Sequence, residues 1–103
     1  MENKYKITYL PLFYEDLDNI TDYIRFKLKN EVAANNLVNK IEDEIHKRAF
    51  NPDFYEEYIS YRKRNNKYYR IYVNNYTVFY TIKNNTMEIR RILYSKRNLN
   101  KLI

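Results

Sequence analysis

The sequence predicts an α+β fold, in which an N-terminal strand and a two-helix antiparallel hairpin pack on a mostly antiparallel C-terminal β-meander. Three observations carry this. Apolar residues recur at three- and four-residue spacing through the first half of the chain, as on a helix face. The second half changes to runs rich in tyrosine and β-branched residues, as in strands. Asparagine pairs separate those runs and supply the turns.

The opening stretch Tyr5-Lys6-Ile7-Thr8-Tyr9-Leu10 alternates apolar and polar side chains and reads as a short strand. Pro11 ends it and suits the first turn of a helix. Phe13, Leu17, Ile20, Ile24 and Leu28 then form one helical face, with Glu15, Asp16, Asp18 and Asp22 elsewhere on the cylinder. Arg25, Lys27 and Lys29 near its end complement the helix dipole. Asn30 is placed to cap a second helix with Glu31 in its first turn, and Ala34, Leu37, Val38, Ile41, Ile45 and Ala49 form its stripe. Asn51-Pro52 stops that helix, because the residue before proline avoids the helical region. The short connection makes an antiparallel hairpin, which needs a further surface to bury both stripes.

From Tyr58 onward three strands are expected: Tyr68-Tyr69-Arg70-Ile71-Tyr72-Val73, Tyr76-Thr77-Val78-Phe79-Tyr80-Thr81-Ile82 and Met87-Glu88-Ile89-Arg90-Arg91-Ile92-Leu93-Tyr94. Asn65-Asn66, Asn74-Asn75 and Asn84-Asn85 are the expected hairpin turns, since asparagine tolerates positive φ better than other non-glycine residues. In the last strand strict alternation puts Arg91 on a face with Met87, Ile89 and Leu93. Either both faces are partly covered or a bulge shifts the register.

Composition narrows the chemistry. A chain of 103 residues is expected to form one domain spanning 1–103. Its 45% hydrophobic and 17% aromatic content excludes a disordered tail. Mean hydropathy is -0.83 and no long apolar run occurs, so no membrane span is expected. Met1-Glu2-Asn3-Lys4 leads into no apolar stretch of the secretory kind, and a cytoplasmic location is expected. Cysteine is absent, which removes disulfides, thiolate metal sites and cysteine nucleophiles. Glycine is absent too, which removes phosphate loops and dinucleotide fingerprints. No metal and no small-molecule cofactor is expected.

Charge is divided along the chain. Residues 1–57 hold eight Lys/Arg against twelve Asp/Glu, a net −4, whereas residues 58–103 hold eleven against the single acid Glu88, a net +10. A basic half of this kind suits a polyanion or an acidic partner protein. Its plainer reading is a solvated surface that keeps a small protein soluble. Arg62, Lys63, Arg64 and Lys67 form the densest cluster, and Tyr58, Tyr61, Tyr68, Tyr69 and Tyr72 are interleaved with cations, as in surfaces that stack bases beside phosphates. Tyrosine in strands is more often half-buried with a wet hydroxyl. The one histidine, His46, lies among Glu42, Asp43 and Glu44 on the second helix and reads as an inert surface residue.

Taken in order, these segments resemble a RelE/ParE superfamily toxin, the toxic half of a bacterial type II toxin–antitoxin pair. Tyr9-Leu10-Pro11, Asp16-Leu17, Ile20 and Tyr23-Ile24 resemble the family's first strand and helix, and Ala33-Ala34 through Ile41, Ile45 and Asn51-Pro52 its second helix. Tyr69-Arg70, Asn75-Tyr76, Val78-Phe79-Tyr80, Ile89-Arg90-Arg91-Ile92-Leu93-Tyr94 and Lys96-Arg97-Asn98-Leu99 resemble the ParE-like signature. In many relatives histidine stands at the Tyr94 position and aspartate at that of Asn98. The resemblance implies growth arrest, neutralisation by a cognate acidic antitoxin, and one of two targets: DNA gyrase for ParE-like members, or messenger RNA in the ribosome for RelE-like ones.

RelE-like toxins carry an arginine just after the tyrosine of the penultimate strand and an aromatic acid/base near the C-terminus. Thr77 stands at the first position and Leu102-Ile103 at the second, so the ParE-like, gyrase-directed reading leads. The alternative is a ribosome-dependent endoribonuclease with Arg70, Tyr94 and Arg97 around the scissile phosphate. Tyr94 would be its acid/base, flanked by cations that lower a phenol pKa, or else simply a tyrosine packed at a strand end. A third reading is a non-toxic basic nucleic-acid-binding domain. Residues expected to contact nucleic acid or target are Arg62, Lys63, Arg64, Lys67, Arg70, Arg90, Lys96 and Arg97.

Overall fold

The computed structural model describes residues 4–59 and 67–97. Its elements are β1 (Lys6–Tyr9), α1 (Pro11–Asp22), a π-helical turn over Tyr23–Lys27, α2 (Glu31–Arg48), β2 (Tyr69–Val73), β3 (Tyr76–Lys83) and β4 (Thr86–Tyr94). The four strands form one sheet in the order β1-β4-β3-β2. The three later strands run antiparallel, and β1 joins β4 in parallel, with Lys6 opposite Thr86 and Tyr9 opposite Ile89. This is the α+β arrangement the periodicity predicts.

The turns work through asparagine. Asn74 at φ 53 and Asn84 at φ 56 hold left-handed backbone, which closes both hairpins without glycine. The third pair, Asn65-Asn66, lies outside the described residues. Lys29 is also left-handed, at φ 52, which costs a lysine on the order of 1 kcal/mol. Its neighbour holds it there: Asn30 N–H donates to the Ile24 carbonyl at 3.1 Å, and Asn30 Oδ1 accepts from Ala33 N–H at 3.0 Å, capping α2.

Pro11 occupies the first turn of α1 as expected. The helix then widens. Leu28 N–H donates to the Tyr23 carbonyl, a five-residue step that rotates the remaining side chains out of phase with those before them. Phe13 and Ile24 stay buried, but Leu28, expected on the same stripe, is 56% exposed, and Phe26 is 73% exposed. The stripe of α2 holds at Ala34, Leu37, Ile41, Ile45 and Ala49, which are buried, while Val38 at its margin is half-buried. Both helices lie on one face of the sheet, where their stripes meet Tyr69, Ile71, Val73, Val78, Tyr80, Met87, Ile89 and Ile92. The opposite face carries a small second cluster, Phe79 and Leu93 beneath Tyr58 and Tyr68.

A bulge resolves the last strand. Tyr80 faces Ile89 and Phe79 faces Arg91, so Arg90 is the extra residue. Before it Met87 and Ile89 point to the helices; after it Ile92 does, and Leu93 joins Phe79 on the other side. Leu93 therefore does not share a face with Met87 and Ile89, because one inserted residue reverses the alternation. Asp16 holds this stretch. Its carboxylate accepts Arg91 Nε at 2.7 Å and the Arg91 terminal nitrogen at 2.9 Å, a bidentate pair, and also Ile92 N–H at 3.2 Å. The hydrogen bonds to Asp16 raise the Arg91 pKa against the cost of burial.

At the other side of the sheet Arg48, ending α2, donates to the Arg70 carbonyl at 3.0 Å and to the Tyr80 hydroxyl at 2.9 Å, and its guanidinium lies 3.5 Å from the Tyr55 ring centre. Tyr80 in turn donates to the Pro52 carbonyl at 2.7 Å. Burial pushes the Tyr80 phenol up to about 12, with the Arg48 hydrogen bond pulling the other way.

Two predictions follow from these contacts. Removing Asp16 or Arg91 as alanine should cost about 3 kcal/mol each, as for a largely desolvated charge pair. The double variant should cost clearly less than the sum, and an additive denaturation cycle would show that the pair is not coupled. For Tyr80, the protonated phenol is favoured in the folded state. Its contribution is complete below the ordinary tyrosine pKa near 10 and is lost as pH rises through about 12. Tyr80→Phe should flatten the alkaline fall of melting temperature over that window, and an unchanged pH profile would contradict the assignment.

Candidate functional site

The bulge decides which basic residues share a surface. On the face free of helices β2 presents Arg70 and Tyr72 beside Phe79 of β3, since Arg70 is paired opposite Phe79. The Arg70 guanidinium lies 5.0 Å from the Tyr58 ring centre and 5.4 Å from that of Tyr72. Arg90, in the bulge, lies 5.5 Å from the Tyr68 ring centre and 3.8 Å from Glu88. Glu88 also accepts a hydrogen bond from Thr81 at 3.2 Å. Lys67 is exposed just before this strand. Arg48, which sequence reasoning passed over, fixes the strand here by holding the Arg70 carbonyl. The signal for it was a cation three residues beyond Ile45, in line with the apolar stripe of α2.

The second surface lies where β4 ends against α1. Asn19, Ile20, Tyr23, Tyr76 and Tyr94 line a mainly apolar groove of about 460 Å³. Tyr76 and Tyr94 meet edge to face at 6.0 Å, and burial, then the neighbouring Tyr94 and Tyr23, raise the Tyr76 phenol pKa. A smaller cleft adjoins it and shares Asn19, Ile20 and Tyr94; Asp16, Ile92, Leu93 and Arg97 complete its lining. Arg97 N–H turns back onto the Tyr94 carbonyl at 3.0 Å, and Lys96 and Arg97 are both exposed. Tyr94 is 39% exposed.

The residues expected to act on a phosphate thus separate. Tyr94 and Arg97 come together at the end of β4, whereas Arg70 belongs to the opposite face, two strands away. No single cluster of Arg70, Tyr94 and Arg97 forms, because the bulge carries Tyr94 to the helix side. Thr77, at the RelE-type arginine position, is fully buried and hydrogen-bonded to the Ser95 hydroxyl at 2.7 Å. Of the remaining candidates, Arg90 lies with Arg70 on the face of Tyr58 and Tyr68, Lys67 is exposed just before Tyr68, and Lys96 is exposed beside Arg97; Arg62, Lys63 and Arg64 lie outside the described residues. His46 sits apart, at the rim of a crevice between α1 and α2, with Lys4 Nζ on its Nδ1. Among the described residues no group of three or more His, Cys, Asp or Glu is placed to hold a metal ion, and no helix is long and apolar enough to cross a membrane.

Solved structures share this fold. A chain of the chromosomal ParDE toxin–antitoxin system from P. aeruginosa superimposes with a TM-score of 0.73 at 14% identity, covering 90% of this chain and 98% of that one. A chain of the RelB-RelE antitoxin–toxin complex from Methanococcus jannaschii does so with a TM-score of 0.50 at 23% identity, covering 92% and 98%. No curated protein matches the sequence. The family model for the ParE toxin of the parDE type II toxin–antitoxin system matches residues 7–99. With nearly all of the sheet and both helices inside that match, the chain belongs to the ParE toxin family of type II toxin–antitoxin systems.

Proposed function

We propose that this toxin arrests growth by binding DNA gyrase and that a cognate acidic antitoxin keeps it silent. The separation of the candidate catalysts carries the reading. Cleavage of RNA through its 2′-hydroxyl needs a base, an acid and cations around one phosphate. Arg70 lies on one face of the sheet and Tyr94 with Arg97 at the end of the other, and the buried Thr77 supplies no cation between them. A toxin that traps gyrase in its cleaved-DNA state needs shape and charge rather than an acid–base pair. Such a binder suits the arrangement at the end of β4, where an apolar groove lined by three tyrosines adjoins the exposed Arg97.

The same groove suits the antitoxin. An amphipathic segment would place an apolar side chain among Tyr23, Tyr76 and Tyr94 and its carboxylates on Arg97 and Lys96. The structures sharing the fold come from toxin–antitoxin systems, which supports a partner of this kind.

One observation favours the ribosomal alternative: Tyr94 and Arg97 line one cleft, within which a phosphate would meet both residues. Induction in cells distinguishes the two. Gyrase poisoning should give DNA-damage signalling and filamentous cells with bulk messenger RNA intact. Codon-phased cuts in translated messages soon after induction would overturn the gyrase reading. Arg97→Ala should change stability by no more than about 0.5 kcal/mol, because the side chain is exposed, yet strongly reduce toxicity at matched protein level. A fully toxic or unfolded Arg97→Ala variant would remove Arg97 from the site.

A further inference from the structure

Between the first half of α1 and the second half of α2, apart from the groove of Tyr94, opens a crevice of about 260 Å³. Three aromatic rings meet in its wall. The ring centre of Tyr9, at the end of β1, lies 5.3 Å from that of Phe13 and 5.7 Å from that of Tyr14, and the last two are 5.8 Å apart. Packing explains Phe13, which is buried in the core, but Tyr14 is 51% exposed. Leu17 of α1 and Val38 of α2 add half-buried aliphatic surface. Glu42 is the one carboxylate in the lining, and it has neither hydrogen bond nor ion pair among the described residues. Burial, and then the charge of Glu42, raise the Tyr9 phenol pKa, as expected for a carboxylate close to that hydroxyl. Lys4, a cation at the same rim, is engaged by His46 Nδ1 instead, one turn along α2 from Glu42.

The crevice thus combines ring faces, aliphatic surface and one uncompensated negative charge, all within the half of the chain that carries a net −4. Electron-rich ring faces and a carboxylate attract the same species, a cation. An anion would be repelled by Glu42, and a neutral apolar molecule would desolvate the carboxylate without pairing it. A guanidinium is planar and seeks two acceptors for its fork, whereas one carboxylate beside ring faces suits the compact charge of an ammonium. The volume lies below the roughly 300–1,000 Å³ of pockets for larger organic ligands, which limits the occupant to a short chain. From this geometry we propose that the crevice binds a small alkylammonium ion, its chain against Leu17 and Val38 and its charge between the rings of Tyr9 and Tyr14 and the Glu42 carboxylate. The ligand is separate from the groove and from every cation of the second half, so the proposal stands whether or not gyrase is the target.

Titration of the isotope-labelled full chain, followed through its amide chemical shifts, tests it with n-butylammonium, n-butanol and butyrate as probes at one ionic strength. n-Butylammonium should shift the amides of Tyr14, Glu42 and His46 saturably and bind at least about fivefold more tightly than the isosteric alcohol, while butyrate should not bind. Glu42→Gln should weaken n-butylammonium binding about fivefold, as for one partly exposed ion pair. Tyr14→Leu keeps apolar volume without a π-face and should weaken it about threefold. Asp43→Asn removes the same charge from the next position, outside the lining, and should change affinity less than about twofold. Glu42 and Asp43 are exposed, so both variants should keep the wild-type melting temperature. Nα-acetyl-lysine amide separates the sources of an ammonium: binding as tight as that of n-butylammonium assigns a lysine side chain, and weaker binding assigns a free amine; either supports the proposal. Equal binding of n-butanol and n-butylammonium, wild-type affinity in Glu42→Gln or in Tyr14→Leu, or equal losses in Glu42→Gln and Asp43→Asn would each overturn it.

Discussion

The carboxylate of Asp16 holds the arrangement on which the rest of the molecule depends. β1 covers the edge of β4 only as far as Ile89, where the Leu10 N–H makes the last backbone bond to that strand. Beyond this point the chain of β1 has turned at Pro11 into α1, and β4 continues to Tyr94 with its edge amides uncovered. Asp16 replaces the missing strand: it accepts the Ile92 N–H and takes the Arg91 fork in a bidentate grip. One side chain thereby satisfies a backbone donor, neutralises a half-buried cation and pins α1 to the sheet.

The bulge that accompanies this grip sets the chemistry of both surfaces. With strict alternation Ile92 and Tyr94 would point away from the helices. The extra residue reverses them, so that Ile92 completes the core under α1 and Tyr94 closes the groove with Tyr76 and Tyr23. Leu93 is sent the other way, where with Phe79 it forms the floor on which Tyr58 and Tyr68 lie. Among the described residues, Arg97 thus lies by the apolar groove at one end of β4, whereas Arg70 and Arg90 lie among the tyrosines of the far face.

Much of this was legible from the sequence because the signals are local. Aromatic and β-branched runs mark β2 and β3, the stripe of α2 holds at all but Val38, and Asn30, Asn74 and Asn84 do what their side chains suit them for. The conflict at Arg91 left open either partly covered faces or a bulge, and the register of β3 with β4 contains the bulge. Other features left no local trace. The spacing Ile20, Ile24, Leu28 fits an ordinary helix as well as one interrupted by a π-helical turn, so the outward rotation of Leu28 was invisible. Asp16 looked like one more acid on a solvated face, because its partner lies 75 residues away. The separation of Arg70 from Tyr94 depends on the bulge and the strand order together, and neither is encoded in the spacing between those two residues.

The parallel pairing of β1 with β4 has a consequence for synthesis. The first strand is made early and its neighbour some eighty residues later, with Lys6 matched to Thr86. At roughly 5–20 residues per second, on the order of ten seconds separate the two. Throughout that interval the nascent chain has a helical hairpin whose stripes lack most of the sheet they pack against, and neither the groove of Tyr94 nor the Asp16–Arg91 grip can form. The groove of Tyr94 and the surface around Arg97 are thereby completed only in the final stretch of translation.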